Sequence, residues 1–164
     1  MTAEAHRCAS VAIDLLVEAG RWPPADELEA LARRTVDAVW DEIGDPDRAG
    51  AELSLLFSDD AKVHSLNAAW RGEDKATNVL AFPAFSDRHG GRPPLLGDVV
   101  LAQETVAAEA AAEGKSFSDH LCHLIVHGVL HLIGYDHQDD AQAGRMEDLE
   151  KRVLARLGIP DPYR

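Results

Sequence analysis

Apolar residues recur along this chain at two periods, and the changes of period divide it into four strands and five helices. Ala9 to Glu18 is rich in apolar and β-branched side chains and predicts a first strand, broken by Gly20 to Pro24. From Asp26 to about Ile43, Leu28, Leu31, Val36, Val39, Trp40 and Ile43 recur at helical spacing, with Glu29, Arg33 and Arg34 toward water. After the turn-rich stretch Gly44 to Gly50, Glu52 to Ser58 predicts a second strand. Asp59 is placed to cap a short helix through Val63, Leu66 and Trp70. Asn78 to Phe82 and Gly97 to Ala102 predict two further strands, separated by a Gly- and Pro-rich loop from Ser86 to Pro94. An Ala-rich helix over Gln103 to Glu113 stops at Gly114. Ser116, with Asp119 three residues later, resembles a capping box for a helix that runs to about Ile133. That helix is apolar nearly all round and is expected to be buried. Asp140 to Leu157 predicts a last, amphipathic helix.

The order is strand, helix, strand, helix, two strands, then three helices. It predicts an α+β fold, one domain over residues 1–164, with a mixed four-stranded sheet and a buried central helix flanked by others. The first three strands, joined through helices, are expected to run parallel with right-handed crossovers. The short connection from third to fourth predicts an antiparallel edge.

The central helix carries the candidate chemistry. His127 and His131 stand four apart, so their imidazoles lie on one face, one turn above the other. Gly134 can take the left-handed conformation that ends a helix, and that turn can bring His137 to the same point. A helical histidine pair by itself is commonly packing or surface; the third histidine after a helix-ending glycine points instead to metal. Three neutral imidazoles with an open fourth position describe a catalytic zinc site, one ion per chain, although imidazole also suits nickel and other divalent ions. The spacing overlays the metzincin pattern H-E-x-x-H-x-x-G-x-x-H at each ligand and at the glycine. It departs at the glutamate that serves such peptidases as general base, where this chain has Gly128.

Other residues admit two readings each. Asp136 either orients a ligand imidazole or caps the turn. His123, four before His127, either supports the site or is a core histidine, and His120 is placed near the helix surface. Asp98 is either a turn residue or a contact to the site. Met146 reads as plain core, with packing beneath the metal as the alternative, and Asp139-Asp140 as a solvated helix start.

Composition narrows the class. The 164 residues are 46% hydrophobic and 27% charged, ordinary for a globular domain. Cys8 and Cys122 form no CxxC and read as buried or free thiols in a reducing cytosol, not as a disulfide framework. No secretory signal is visible and no apolar run is long enough to span a membrane, which implies a cytoplasmic protein. A formal net charge of -13 is a poor global match for a nucleic-acid binder, but a cleft can be locally positive on an acidic protein.

Two stretches together carry a family resemblance. LNAAWRGEDKATNVLAF at Leu66 to Phe82 joins a helix end, a polar loop and a strand, and HLIVHGVLHLIGYDH at His123 to His137 holds the histidines. With LLGDVVLA, the MEDLE segment at Met146 to Glu150 and the closing LGIPDPY, the chain from about Ser54 to Tyr163 resembles the YbeY family of metal-dependent endoribonucleases and ribosomal-RNA maturation factors. The resemblance implies that His127, His131 and His137 are zinc ligands and that Arg71 is the family's functional arginine. It further implies cleavage of single-stranded RNA, maturation of the 3′ end of small-subunit ribosomal RNA, ribosome quality control, and the small ribosomal subunit with its proteins as partners, with no DNA target. Read alone, Arg71 could merely offset a helix C-terminal dipole. Ala76 stands where the family usually has Pro, and Ala81 where it usually has Ser. A looser loop and one lost hydrogen bond are the expected consequences. Two rivals stand beside this reading: a zinc peptidase, and a non-catalytic ribosome partner whose metal only holds the fold and whose acidic surface suits basic ribosomal proteins.

Overall fold

The computed structural model describes residues 10–44, 50–84 and 95–164. Cys8, Ala9, most of the Gly44 to Gly50 turn and the whole Ser86 to Pro94 loop lie outside the described residues. In chain order the elements are β1 (Ala12–Val17), α1 (Ala25–Ile43), β2 (Glu52–Ser58), α2 (Asp60–Arg71), β3 (Val79–Pro83), β4 (Leu95–Ala102), α3 (Gln103–Glu113), α4 (Phe117–Leu132) and α5 (Asp140–Arg156). These follow the elements expected from patterning. The two predicted caps are made, Asp59 accepting from the Lys62 N–H and Ser116 from Asp119, and Asp139, expected only as a solvated helix start, caps the last helix by accepting from Gln142.

The strands form one mixed sheet in the order β1-β2-β4-β3. Strand β1 is parallel to β2 and β2 is parallel to β4, while β3 pairs antiparallel with β4 from Val79 opposite Leu101 to Pro83 opposite Gly97. The expected antiparallel edge is therefore present, but β3 does not join the parallel set. The parallel strands are β1, β2 and β4, and β4 inserts between β2 and β3. Edge placement also explains how Pro83 sits in a strand, since its missing N–H costs no central ladder bond.

Strand alternation sorts the side chains onto two faces. Leu53, Leu55 and Phe57 of β2, with Val99 and Leu101 of β4, join the large core under α1, α4 and α5. Leu80, Val100 and Ala102 face the other way with Leu56 and Phe82, under Val63 and Leu66 of α2. Helix α4 is buried as expected and crosses β3 and β4 at Gly128. A Cβ built at Gly128 would stand 2.6 Å from Val99 Cγ1 and 3.1 Å from Val99 Cγ2. No side chain fits between this turn of helix and the sheet, so the glycine sets how closely α4 lies on it. Cys122 lies on the same helix, buried and free, 3.3 Å from the Thr35 hydroxyl. No helix among the described residues is long and apolar enough to cross a membrane.

Candidate metal centre

Helix α4 presents His127 and His131 one turn apart, with ring centroids separated by 4.7 Å. The helix closes through bonds from the Gly134 N–H to the His131 carbonyl (3.1 Å) and from Tyr135 to Leu130 (3.0 Å). Gly134 has φ 107°, a conformation that side chains resist, and the chain turns back there. His137 is thereby carried to 5.0 Å from the His131 ring and 5.9 Å from the His127 ring, centroid to centroid. One nitrogen from each of the three rings lies within 4.8 Å of the others, and the Nε2 atoms of His127 and His131 are 3.2 Å apart. A tetrahedral zinc with Zn–N of about 2.0–2.1 Å needs its nitrogens roughly 3.4 Å apart. The His127–His131 pair already stands at about that spacing, and three imidazoles have the chemistry such an ion takes, so the group could hold a metal.

The first support for this cluster comes from α5. Glu150 is fully buried, and its Oε1 lies 2.6 Å from His127 Nδ1. Nδ1–H therefore donates to the carboxylate, which leaves the Nε2 lone pair toward the cluster. The Tyr163 hydroxyl donates to Oε2 of the same carboxylate, and His123 Nε2 stands 3.6 Å from it. Burial raises the Glu150 pKa, but the His123, His127 and Tyr163 donors outweigh it and bring it down to about 2. Glu150 was not singled out from sequence. A signal existed: it shares the apolar face of α5 with Met146, Leu149, Val153 and Leu154, where a carboxylate is out of place unless something pairs it.

The other candidates resolve by position. His123 is not in the three-imidazole group; it faces Glu150. His120, expected near the surface, is buried and 3.4 Å from Glu109, because α3 packs across that side of α4. Asp136 accepts the His137 backbone N–H at 2.8 Å and lies 4.0 Å from His137 Nδ1, in the geometry of a turn cap. Asp98 lies on the opposite sheet face from α4, in a groove with Asp14, Ser54 and Lys62. Met146 is buried core beside His127 and His137.

Arg71 ends α2 immediately before Gly72, and its Nη2 donates to the Ala81 carbonyl at 3.2 Å. That acceptor is backbone, so it is present without a hydroxyl at position 81. Among the described residues no carboxylate pairs with Arg71. The loop after it is tied by Asn67, a buried side chain not singled out from sequence. Asn67 Nδ2 donates to the Lys75 carbonyl at 3.0 Å and its own carbonyl accepts from Glu73 at 3.2 Å. These bonds hold the loop in place with Ala at position 76. Arg71, Lys75 and Asn78 line one cleft of about 240 Å³ together with His127, His131 and His137. The cleft thus sets the Arg71 guanidinium, which pairs with no carboxylate among the described residues, opposite the three imidazoles, with Glu73 also in its wall.

Desolvation lowers the His131 pKa to about 4, with added repulsion from His127 and His137. The ring is neutral and available as a ligand at neutral pH. A folded-state value below the ordinary 6.5 means that the unfolded chain binds more protons between the two values. The metal-free protein is therefore expected to lose stability as pH falls from 6.5 to 4, by on the order of 1–2 kcal/mol, or roughly 2–8 °C. Thermal unfolding of chelated protein across this range checks it, with His131→Asn expected to flatten the slope. An equal slope in that variant would assign the effect elsewhere.

Comparison with known proteins places the chain in a family. The family model described as Endoribonuclease YbeY matches residues 19–158. The chain is 53% identical over 157 residues to the Endoribonuclease YbeY of Rhizobium meliloti (strain 1021), covering 92% of this chain and 94% of that one. It is 49% identical over 161 residues to that of Agrobacterium fabrum, covering 94% and 96%. Among solved structures it resembles the solution structure of TM1509 from Thermotoga maritima, with TM-score 0.54 and 23% identity over 89% of this chain and 91% of that one, a likeness of fold. From residue 19 to the end of α5 this sequence and its relatives share one pattern, and the chain belongs to the endoribonuclease YbeY family.

Proposed function

We propose that this protein is a metal-dependent endoribonuclease that cuts single-stranded RNA. The observation that carries the reading is the cleft in which Arg71 faces His127, His131 and His137. The relatives' name, Endoribonuclease YbeY, supplies the substrate class. The proposed resident ion is one zinc held by the three imidazoles. His127, His131 and His137 would hold it, and the chemistry it would supply there is Lewis acidity toward a water or a phosphoryl oxygen.

The chain's own groups account for the rest. Glu150 fixes the His127 ring by accepting its Nδ1–H. The Ala81 carbonyl holds one arm of Arg71, and the remaining guanidinium N–H groups meet the charge that develops on the phosphoryl oxygens. A planar fork does this bidentately and an ammonium does not. Arg71→Lys is expected to keep the metal and lose cleavage about 10²-fold. Cleavage within a few-fold of wild type would remove Arg71 from this role.

The ribosomal setting rests on the family resemblance: maturation of the small-subunit ribosomal RNA 3′ end, ribosome quality control, and work in the cytoplasm beside the small subunit. The peptidase alternative loses support at Gly128, since the space a general-base glutamate would need is filled by Val99. The test is cleavage of a single-stranded ribosomal-RNA 3′-end fragment by protein of known zinc content. Cleavage is expected to disappear on chelation and return with zinc. Persistence in the chelated sample, or no cleavage by the zinc-loaded protein, would overturn the proposal.

A further inference from the structure

The C-terminal tail reaches the metal centre, where Tyr163 lines a cavity with His127, His137 and Glu150. After α5 the chain turns at Gly158, and the Ile159 N–H bonds back to Leu154 at 2.9 Å. Lys115 then donates to the Pro162 carbonyl at 3.3 Å, and the Tyr163 N–H to Asp161 Oδ1 at 2.8 Å. The Tyr163 ring stands edge-on to His123, with centroids 5.6 Å apart at 86°, and Lys151 Nζ lies 5.8 Å from its centre. The ring is 44% exposed, yet its hydroxyl points inward to Glu150 Oε2. A half-exposed tyrosine needs no buried partner for its own hydroxyl. The buried carboxylate does need one.

Glu150 faces two histidines, one with each oxygen, and the Tyr163 hydroxyl lies between Oε2 and His123, 3.4 Å from His123 Nε2. Oε1 is given to His127 at 2.6 Å, while Oε2 stands 3.6 Å from His123. If the carboxylate turned toward His123, the Nδ1–H of His127 would lose its acceptor and the ring its fixed tautomer. Tyr163 fills Oε2 and holds the carboxylate in the rotation that serves His127.

We propose that Tyr163 is a positioning residue for the metal centre, acting through Glu150 to hold His127 with Nε2 toward the ion. The proposal rests on the ligand assignment given above. It makes the tail part of the site: displacing the last residues would loosen a ligand that lies 36 positions earlier, at His127.

The test uses the full chain with Tyr163→Phe, which keeps the ring and removes only the O–H, and Glu150→Gln beside it. Zinc affinity is read by competition with a chromophoric chelator. The His127 tautomer is read in metal-free protein from imidazole ¹⁵N shifts. Wild type is expected to show Nδ1–H and bare Nε2. Glu150→Gln is expected to bind zinc about 10–100-fold more weakly and Tyr163→Phe about 3–10-fold, each with mixed tautomers at His127. Melting temperatures close to wild type in Tyr163→Phe would show that the fold survives. Wild-type zinc affinity and an unmixed tautomer in Tyr163→Phe would overturn the proposal. If wild-type protein binds no zinc at these histidines, the ligand assignment fails, and the metal-free tautomer still decides the positioning role.

Discussion

Gly128→Glu, which would complete the H-E-x-x-H pattern of a zinc peptidase, is expected to collapse the fold and to yield no peptidase. The added Cβ would meet Val99 Cγ1 at 2.6 Å, inside any tolerated carbon contact. Val99 has nowhere to go. It is fully buried, β-branched and therefore stiff at χ1, and lies on β4 between Leu55 of β2 and Ala81 of β3. Overpacking of this kind costs about 1–3 kcal/mol for a single methyl-sized group. A carboxylate driven against the sheet adds a desolvation cost of several kcal/mol. The sum is comparable to the whole stability of a typical domain. Gly128→Ala is the gentler probe: helix propensity returns about 1 kcal/mol, leaving a net loss of about 0–2. Chemical denaturation of both variants measures the effect. A Gly128→Glu protein as stable as wild type would mean that α4 can lift from the sheet at no cost, and the packing argument would fall.

That glycine also shows how sequence and structure divide the work. From sequence, Gly128 was legible only as a missing general base; its positive reason is the distance between α4 and β4, which no local pattern encodes. The histidine spacing was legible because it is local: four residues on a helix and one glycine turn fix three rings with no knowledge of the rest of the chain. Helix caps at Asp59 and Ser116 were legible for the same reason. The orientation of β3 was not. Patterning tells that Asn78 to Phe82 is a strand, but not that β4 will enter between it and β2. Glu150 was hidden by sequence distance, being 23 positions from its partner His127, and Asn67 by the ordinariness of an asparagine on a helix. The cleft wall itself is mixed in charge: Lys75 is ion-paired there to Glu73 at 3.0 Å, which leaves the Arg71 guanidinium as its unpaired cation among the described residues.

His131→Ala is the substitution on which the catalytic and structural readings of the metal part company. Removing one of three imidazoles leaves two ligands, too few for a tight site in which zinc takes three protein groups and an open position. Zinc content is expected to fall to near zero at stoichiometric metal, and RNA cleavage by on the order of 10³-fold or more, because a Lewis acid contributes several kcal/mol to phosphoryl-transfer barriers. The fold is expected to persist. His131 is partly exposed, and its ring is held neutral beside two other imidazoles, so alanine removes a half-buried polar group along with its contacts. The core beneath, built from Leu121, Ile125, Val129 and Leu130 on the other faces of α4, is untouched. Metal-free wild type and His131→Ala should then melt within about 1–2 kcal/mol of each other, a few °C for a chain of this size. A variant that unfolds outright would make the metal a structural staple and favour a non-catalytic role beside the ribosome. A folded, zinc-free variant that still cuts RNA at the wild-type rate would move the chemistry away from these three histidines. Folded protein with neither zinc nor cleavage ties both to one site, since the same ring that faces His127 Nε2 at 3.2 Å also lines the cleft with Arg71.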